Sequence, residues 1–212
     1  MKKNKISINF PRKKSKTVVN FYNSYVESLE NSLKAVDYKQ LEKATKILEK
    51  KILSKKNIFV CGNGGSAAIS NHLVCDYIKL LRTKTSLKPK VVSLSTTTEL
   101  ITAIANDISY DQIFSEQLEY LAEKNDLLIL VSSSGNSKNI INAVKLCKKK
   151  GIFTIGFSGF SGGYLAKNSD ISVNFPVNNY GLAEDSHHIL MHIMMQYLRQ
   201  KYLKIDIGKT PF

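Results

Sequence analysis

All four histidines of the chain fall in two short stretches, each with a carboxylate nearby. In NHLVCDYIK, residues 71–79, His72 and Asp76 are four apart, so on a helix they share a face. In GLAEDSHHILMH, residues 181–192, nine positions hold Glu184, Asp185, His187, His188 and His192. At about 100° per residue, Glu184, His187 and His188 gather on one side of a helix, with His192 flanking them. Imidazoles and carboxylates at this density could bind a divalent metal, transfer protons, or do both. A lone histidine on a helix is more often structural or solvated, and spacing alone leaves the choice open.

A second kind of chemistry is written in two loops. GNGGS follows the apolar run Ile58-Phe59-Val60, and SSSGNS follows LLILV; each opens a helical stretch. Helix N-termini favour anions, and the hydroxyls of Ser132, Ser133, Ser134 and Ser137 could add donors around a phosphate. One serine at such a turn is an ordinary N-cap. Four in six residues after a buried strand favour phosphate. Neither loop carries the lysine of a P-loop. Gly62, Gly64 and Ala67 satisfy a loose dinucleotide pattern, but KVVSLSTTTEL supplies no acidic residue to hold a ribose, so no nucleotide cofactor is expected.

These residues need a scaffold, and the hydrophobic pattern supplies one. β-rich runs at 57–61, 90–94, 126–131, 152–157 and 171–175 alternate with helical stretches near 66–82, 97–105, 111–123, 137–149 and 183–202. Alternation with near-continuous apolar strands predicts a parallel sheet covered on both faces, an α/β fold. Two helices precede the first strand, over 18–36 and 39–54, with apolar residues three and four apart. With little of their own to pack against, they are expected to dock on the domain or on another subunit.

Composition narrows the setting. The chain of 212 residues is 43% apolar, enough for one α/β domain with a helical extension. No window approaches a membrane span, and the N-terminus lacks the apolar region of a secretory signal. Of the net charge of +14, residues 1–16 supply seven Lys/Arg and no acid. That segment reads as a basic, disordered arm, with 17–212 as the single domain. Nucleic acid is not expected as a partner, because almost no aromatics are interleaved in the arm. Cys61, Cys75 and Cys147 show neither metal spacing nor a disulfide framework, and read as reduced, buried thiols of a cytoplasmic protein.

CGNGGS, the helix with His72 and Asp76, AIANDISYDQIFSEQL and LVSSSGNSKNIINAV, in that order, resemble the sugar isomerase (SIS) domain family, and within it the sedoheptulose 7-phosphate isomerases. The resemblance runs from about residue 17 to 202. It implies a three-layer sandwich around a five-stranded parallel sheet, and a homotetramer whose N-terminal helices pack between subunits and whose sites lie at the interfaces. It implies a phosphate on Ser132, Ser133, Ser134 and Ser137, with Asn63, Gly64 and Ser66 nearby, and Asn106, Asp107 and Glu184 beside the sugar. Asp76 and His192 take the positions of the pair that moves a proton between C1 and C2 through an enediol. Several relatives bind zinc, and the matching ligand positions are His72, Asp76, Glu184 and His192. The implied role is heptose or related surface-polysaccharide synthesis. Two departures stand out: the heptose enzymes carry Glu where this chain has Asp76, and usually Gln where it has Glu184. His187 matches a family histidine near the site, whereas His188 has no counterpart. Some SIS proteins are non-catalytic regulators that bind a phosphosugar or a replication initiator, and this is the alternative reading.

Overall fold

A computed structural model describes residues 7–209. Five parallel strands form the central sheet: β2 (Asn57–Cys61), β3 (Lys90–Ser93), β4 (Leu127–Ser132), β5 (Phe153–Ser158) and β6 (Ile171–Asn174), in the order β3-β2-β4-β5-β6. Register is fixed by pairs such as Ile58 with Leu127 and Leu127 with Phe153. The continuous apolar runs are explained by the two-residue period, which sends alternate side chains to opposite faces. Ile58, Val60, Leu127, Ile129 and Val131 enter one core, while Phe59, Cys61, Leu128 and Leu130 enter the other.

Helices close both cores. The first is covered by α1 (Val18–Lys34), α2 (Tyr38–Leu53), α3 (Gly65–Cys75) and α8 (Tyr180–Tyr202). The second is covered by α4 (Thr98–Asp107), α5 (Ser115–Leu121), α6 (Lys138–Lys150) and the short α7 (Gly163–Asn168). The expected three-layer α/β sandwich is the observed one. Capping sets several starts: Asp37 accepts from the backbone N–H of Lys39 and Gln40, and Asn179 from that of Leu182.

Two early expectations need correction. Residues 8–10 are not a free arm: β1 (Ile8–Asn9) pairs in parallel with β7 (Val177–Asn178), and Phe10 is buried edge-on against Phe21 and Tyr25. One aromatic placed in a core outweighs the neighbouring charge, while Arg12, Lys13, Lys14 and Lys16 remain exposed. The rest of the arm, 1–6, lies outside the described residues. Cys61 and Cys147 are buried free thiols, but Cys75 is exposed.

The helix expected over 66–82 is also not uniform. It is α-helical to Cys75 and then continues as a π-helical stretch, Asp76–Leu81. Such stretches are rare and often accompany functional residues. No helix among the described residues is long and apolar enough to cross a membrane.

Candidate active site

The chain leaves β2 for β3 on one side and β4 for β5 on the other, so the strand order reverses between β2 and β4. Ligands of open α/β sheets bind at such a switch, at the strand carboxyl ends. Both small-residue loops are there, and they are tied together. Asn63 and Asn139 exchange amide hydrogen bonds of 2.9 and 3.0 Å, and the Tyr110 hydroxyl donates to Asn63 Oδ1 at 3.0 Å. Gly64 takes φ +53° to turn the first loop into α3, a conformation that L side chains rarely adopt.

Between the loops is a cavity of about 170 Å³ lined by Asn63, Ser66, Val131, Ser132, Ser133, Ser134, Ser137, Tyr180 and Glu184. Its donors are available. Ser133 Oγ is buried without a hydrogen-bond partner, and Ser137 starts α6 without a side-chain cap bond. A buried hydroxyl without a partner is costly, which a ligand oxygen would relieve. Burial and neighbouring Asp185 push the Glu184 carboxyl above the usual range.

Farther along α3 and α8 is the second cluster. Asp76 is 5% exposed, with Oδ1 3.4 Å from His72 Nε2 and Oδ2 3.2 Å from His192 Nε2; the two Nε2 atoms are 3.3 Å apart. His188 joins them edge-on to His72, with ring centroids 4.7 Å apart, and its Nε2 is buried without a partner. Burial, reinforced by His192 and His72, pushes the His188 pKa down and favours the neutral, ligating imidazole. His72, His188 and His192 each offer a nitrogen within 4.8 Å of the others, so together they could hold a metal ion.

The two clusters divide the expected residues. Asn63, Ser66, Ser132, Ser133, Ser134, Ser137 and Glu184 meet in the cavity, and His72, Asp76 and His192 meet in the second cluster. Glu184 lines the cavity and takes no part in the metal-capable histidine group, which takes in His188 instead. Gly64 sits at the loop's turn. Asn106 and Asp107 stand exposed at the end of α4 and pair with each other at 2.9 Å. His187 turns away from both clusters into the core, between Phe157 and Phe175.

Sequence reasoning missed Tyr110, Asn139 and Tyr180. Only Tyr110 had a signal, as the tyrosine of ANDISYDQIF. A larger groove of about 400 Å³ between α2 and α8 is mainly apolar, lined by Leu41, Ile193, Met194 and Tyr197 among others. It lacks the convergent unpartnered donors of the serine cavity.

A parallel sheet with a serine cradle at its switch point and an imidazole–carboxylate cluster farther along the same helices defines an α/β protein with a site suited to a phosphate-bearing ligand. Comparisons agree. The SIS domain model matches residues 21–159. The phosphoheptose isomerase of Aliarcobacter butzleri (strain RM4018) is 39% identical over 158 residues, 74% of this chain and 83% of that protein. That of Campylobacter concisus (strain 13826) is 33% identical over 162 residues, 76% and 85% of the two chains. The structure of the Neisseria gonorrhoeae phosphoheptose isomerase superposes with a TM-score of 0.78 at 27% identity, covering 86% of this chain and 97% of that one. The chain belongs to the SIS-domain family, in its phosphoheptose isomerase branch.

Proposed function

We propose that this protein is an aldose–ketose isomerase that converts sedoheptulose 7-phosphate into the corresponding heptose 7-phosphate. The observation that carries the reading is the spacing of the two clusters on the same pair of helices. Ser66 lines the cradle, and His72 and Asp76 follow six and ten residues later on the same helix. At 1.5 Å per residue they lie roughly 9 and 15 Å further along. An extended seven-carbon chain spans about 8 Å, and its phosphoester adds about 2.5 Å, given ordinary bond lengths near 1.5 Å. With the phosphate in the cradle, C1 and C2 of such a sugar reach the histidine end, whereas a triose phosphate falls short.

The chemistry available at that end suits the reaction. Asp76, held between two imidazoles, takes the proton from C1 and returns it to C2. His192, beside it, services the two oxygens as one loses and the other gains a proton. Asn63, Asn106 and Asp107 hold the sugar. The donor set fits zinc: two imidazoles flank a carboxylate, and a third carries an orphaned buried nitrogen. His72, His188 and His192, with Asp76, would hold the ion, which would supply electrostatic stabilisation of the enediolate. The exposed apolar residues Val18, Val19, Tyr22 and Val26 on α1 favour a homotetramer with α1 at subunit contacts and sites near the interfaces. Free thiols at all three cysteines suit the cytoplasm.

The test is incubation with sedoheptulose 7-phosphate in deuterium oxide, followed by NMR. Deuterium at C2 of an aldose product is expected, with turnover reduced by about 10²- to 10⁴-fold in Asp76→Asn and His192→Ala. No exchange, with or without added zinc, would refute the assignment and leave a non-catalytic sugar-phosphate sensor.

A further inference from the structure

The start of α8 is held by a segment from the other end of the chain. Tyr180, which lines the serine cavity, is the first residue of that helix and follows directly on β7 and the cap Asn179. Residues 8–10 grip both. The Ile8 N–H donates to the Pro176 carbonyl at 2.8 Å, and Ile8 and Asn9 stand in register with Val177 and Asn178. The Asn178 amide donates to Asn9 Oδ1 at 2.6 Å. Asn179 uses both ends of its own amide: Oδ1 accepts from the N–H of Leu182 at 2.9 Å, and Nδ2 donates to the Phe10 carbonyl at 3.3 Å. Val177 is tied to the loop after β5 as well, its carbonyl accepting from the Phe160 N–H at 3.1 Å, and the Phe160 ring leans on Tyr180 with centroids 4.9 Å apart.

A strand pair of two residues has too little hydrogen bonding to hold itself, so its anchor is Phe10. That ring is 7% exposed and packs edge-on against Phe21 and Tyr25 of α1, with centroids 5.0 and 5.4 Å away. Tyr25 in turn donates to Asp185 Oδ2 at 2.6 Å, in the second turn of α8. A cavity wall held in place before the ligand arrives spares binding the cost of ordering it. His192 lies about three turns farther along α8, where its partners are His72 and Asp76. Loosening the strap therefore acts on binding rather than on the proton-transfer step.

We propose that residues 8–10 are a strap that pre-positions the Tyr180 wall of the serine cavity, with Phe10 as the positioning residue, and so sets the affinity for a phosphate-bearing ligand. The proposal rests on the phosphosugar reading and adds to it a part of the chain that precedes the SIS match at residue 21.

The test uses full-length variants, with calorimetric titration of sedoheptulose 7-phosphate and inorganic phosphate, steady-state turnover, and hydrogen exchange over residues 177–184. Phe10→Ala should speed exchange in that segment, raise Kd for the sugar phosphate at least fivefold and raise KM in step, with kcat within twofold of wild type. Phe10→Leu, which keeps an apolar anchor, should restore most of the affinity. Asn179→Ser keeps a capping oxygen but removes the donor to Phe10; it should weaken binding in the same direction, and it carries the test if Phe10→Ala fails to fold. Leu118→Ala, a cavity in the other core, should lower Tm without changing Kd. Unchanged exchange over 177–184, unchanged Kd despite faster exchange, or an equal rise in Kd in Leu118→Ala would overturn the strap. A wild type that binds the sugar phosphate without turnover would refute the isomerase reading alone, with the affinities still deciding the strap. A wild type that binds neither ligand would overturn both.

Discussion

Replacing His187 should flatten the acid limb of the stability profile, which separates this histidine from the other three. Its ring is fully buried beside Phe157 and Phe175, and neither ring nitrogen has a well-formed hydrogen bond. The backbone of Ser158 raises its pKa only weakly against burial, which pushes it from 6.5 down to about 4. Between those values the unfolded chain binds a proton that the folded chain refuses. Stability is therefore fully present above about pH 6.5 and is lost as the pH falls towards 4. At pH 5 the loss amounts to about 2 kcal/mol, taking 1.36 kcal/mol per pKa unit. For a domain of this size that lowers Tm by roughly 4–8 °C relative to pH 7.5. His187→Leu cannot titrate, so it should lose most of that difference whatever it costs at neutral pH. Thermal unfolding of both proteins from pH 7.5 to 4.5 measures it. Parallel profiles would show that the acid sensitivity arises elsewhere and that the buried ring is not held neutral as argued.

The remaining predictions concern the metal-capable cluster and the exposed helix. His188→Ala should weaken zinc binding at least tenfold in competition with a chromophoric chelator, since its orphaned nitrogen is one of three convergent donors; unchanged affinity would exclude His188 as a ligand. Val18→Glu with Tyr22→Glu, on the exposed face of α1, should shift the molecular mass by light scattering from a tetramer to smaller species, and a monomeric wild type would refute the interface.

The elements were legible because buried parallel strands and amphipathic helices repeat their periods over many residues. The five sheet strands fall within a residue or so of the runs read from apolar content, and only composition was needed to find the serine loop. Short-range exceptions were not legible. Residues 8–10 are pinned to β7 by partners nearly 170 positions away, which no local charge count reveals. The π-helical stretch from Asp76 to Leu81 leaves no mark in the sequence pattern of DYIKLL. Asn139 looked like one more residue of a helix, because its partner Asn63 belongs to the other loop.

The histidines show why spacing found the site but not its membership. On one helix His187 and His188 are adjacent, so about 100° of rotation separates them, enough to send one ring into the core and the other towards α3. Which goes where depends on the crossing of α3 and α8, a tertiary quantity. That crossing sets Glu184 against Gly65, one turn before His188 meets His72 and two turns before His192 meets Asp76. The two helices thus run side by side from the serine cavity to the imidazole–carboxylate cluster, and the distance between the ends is counted in helical turns.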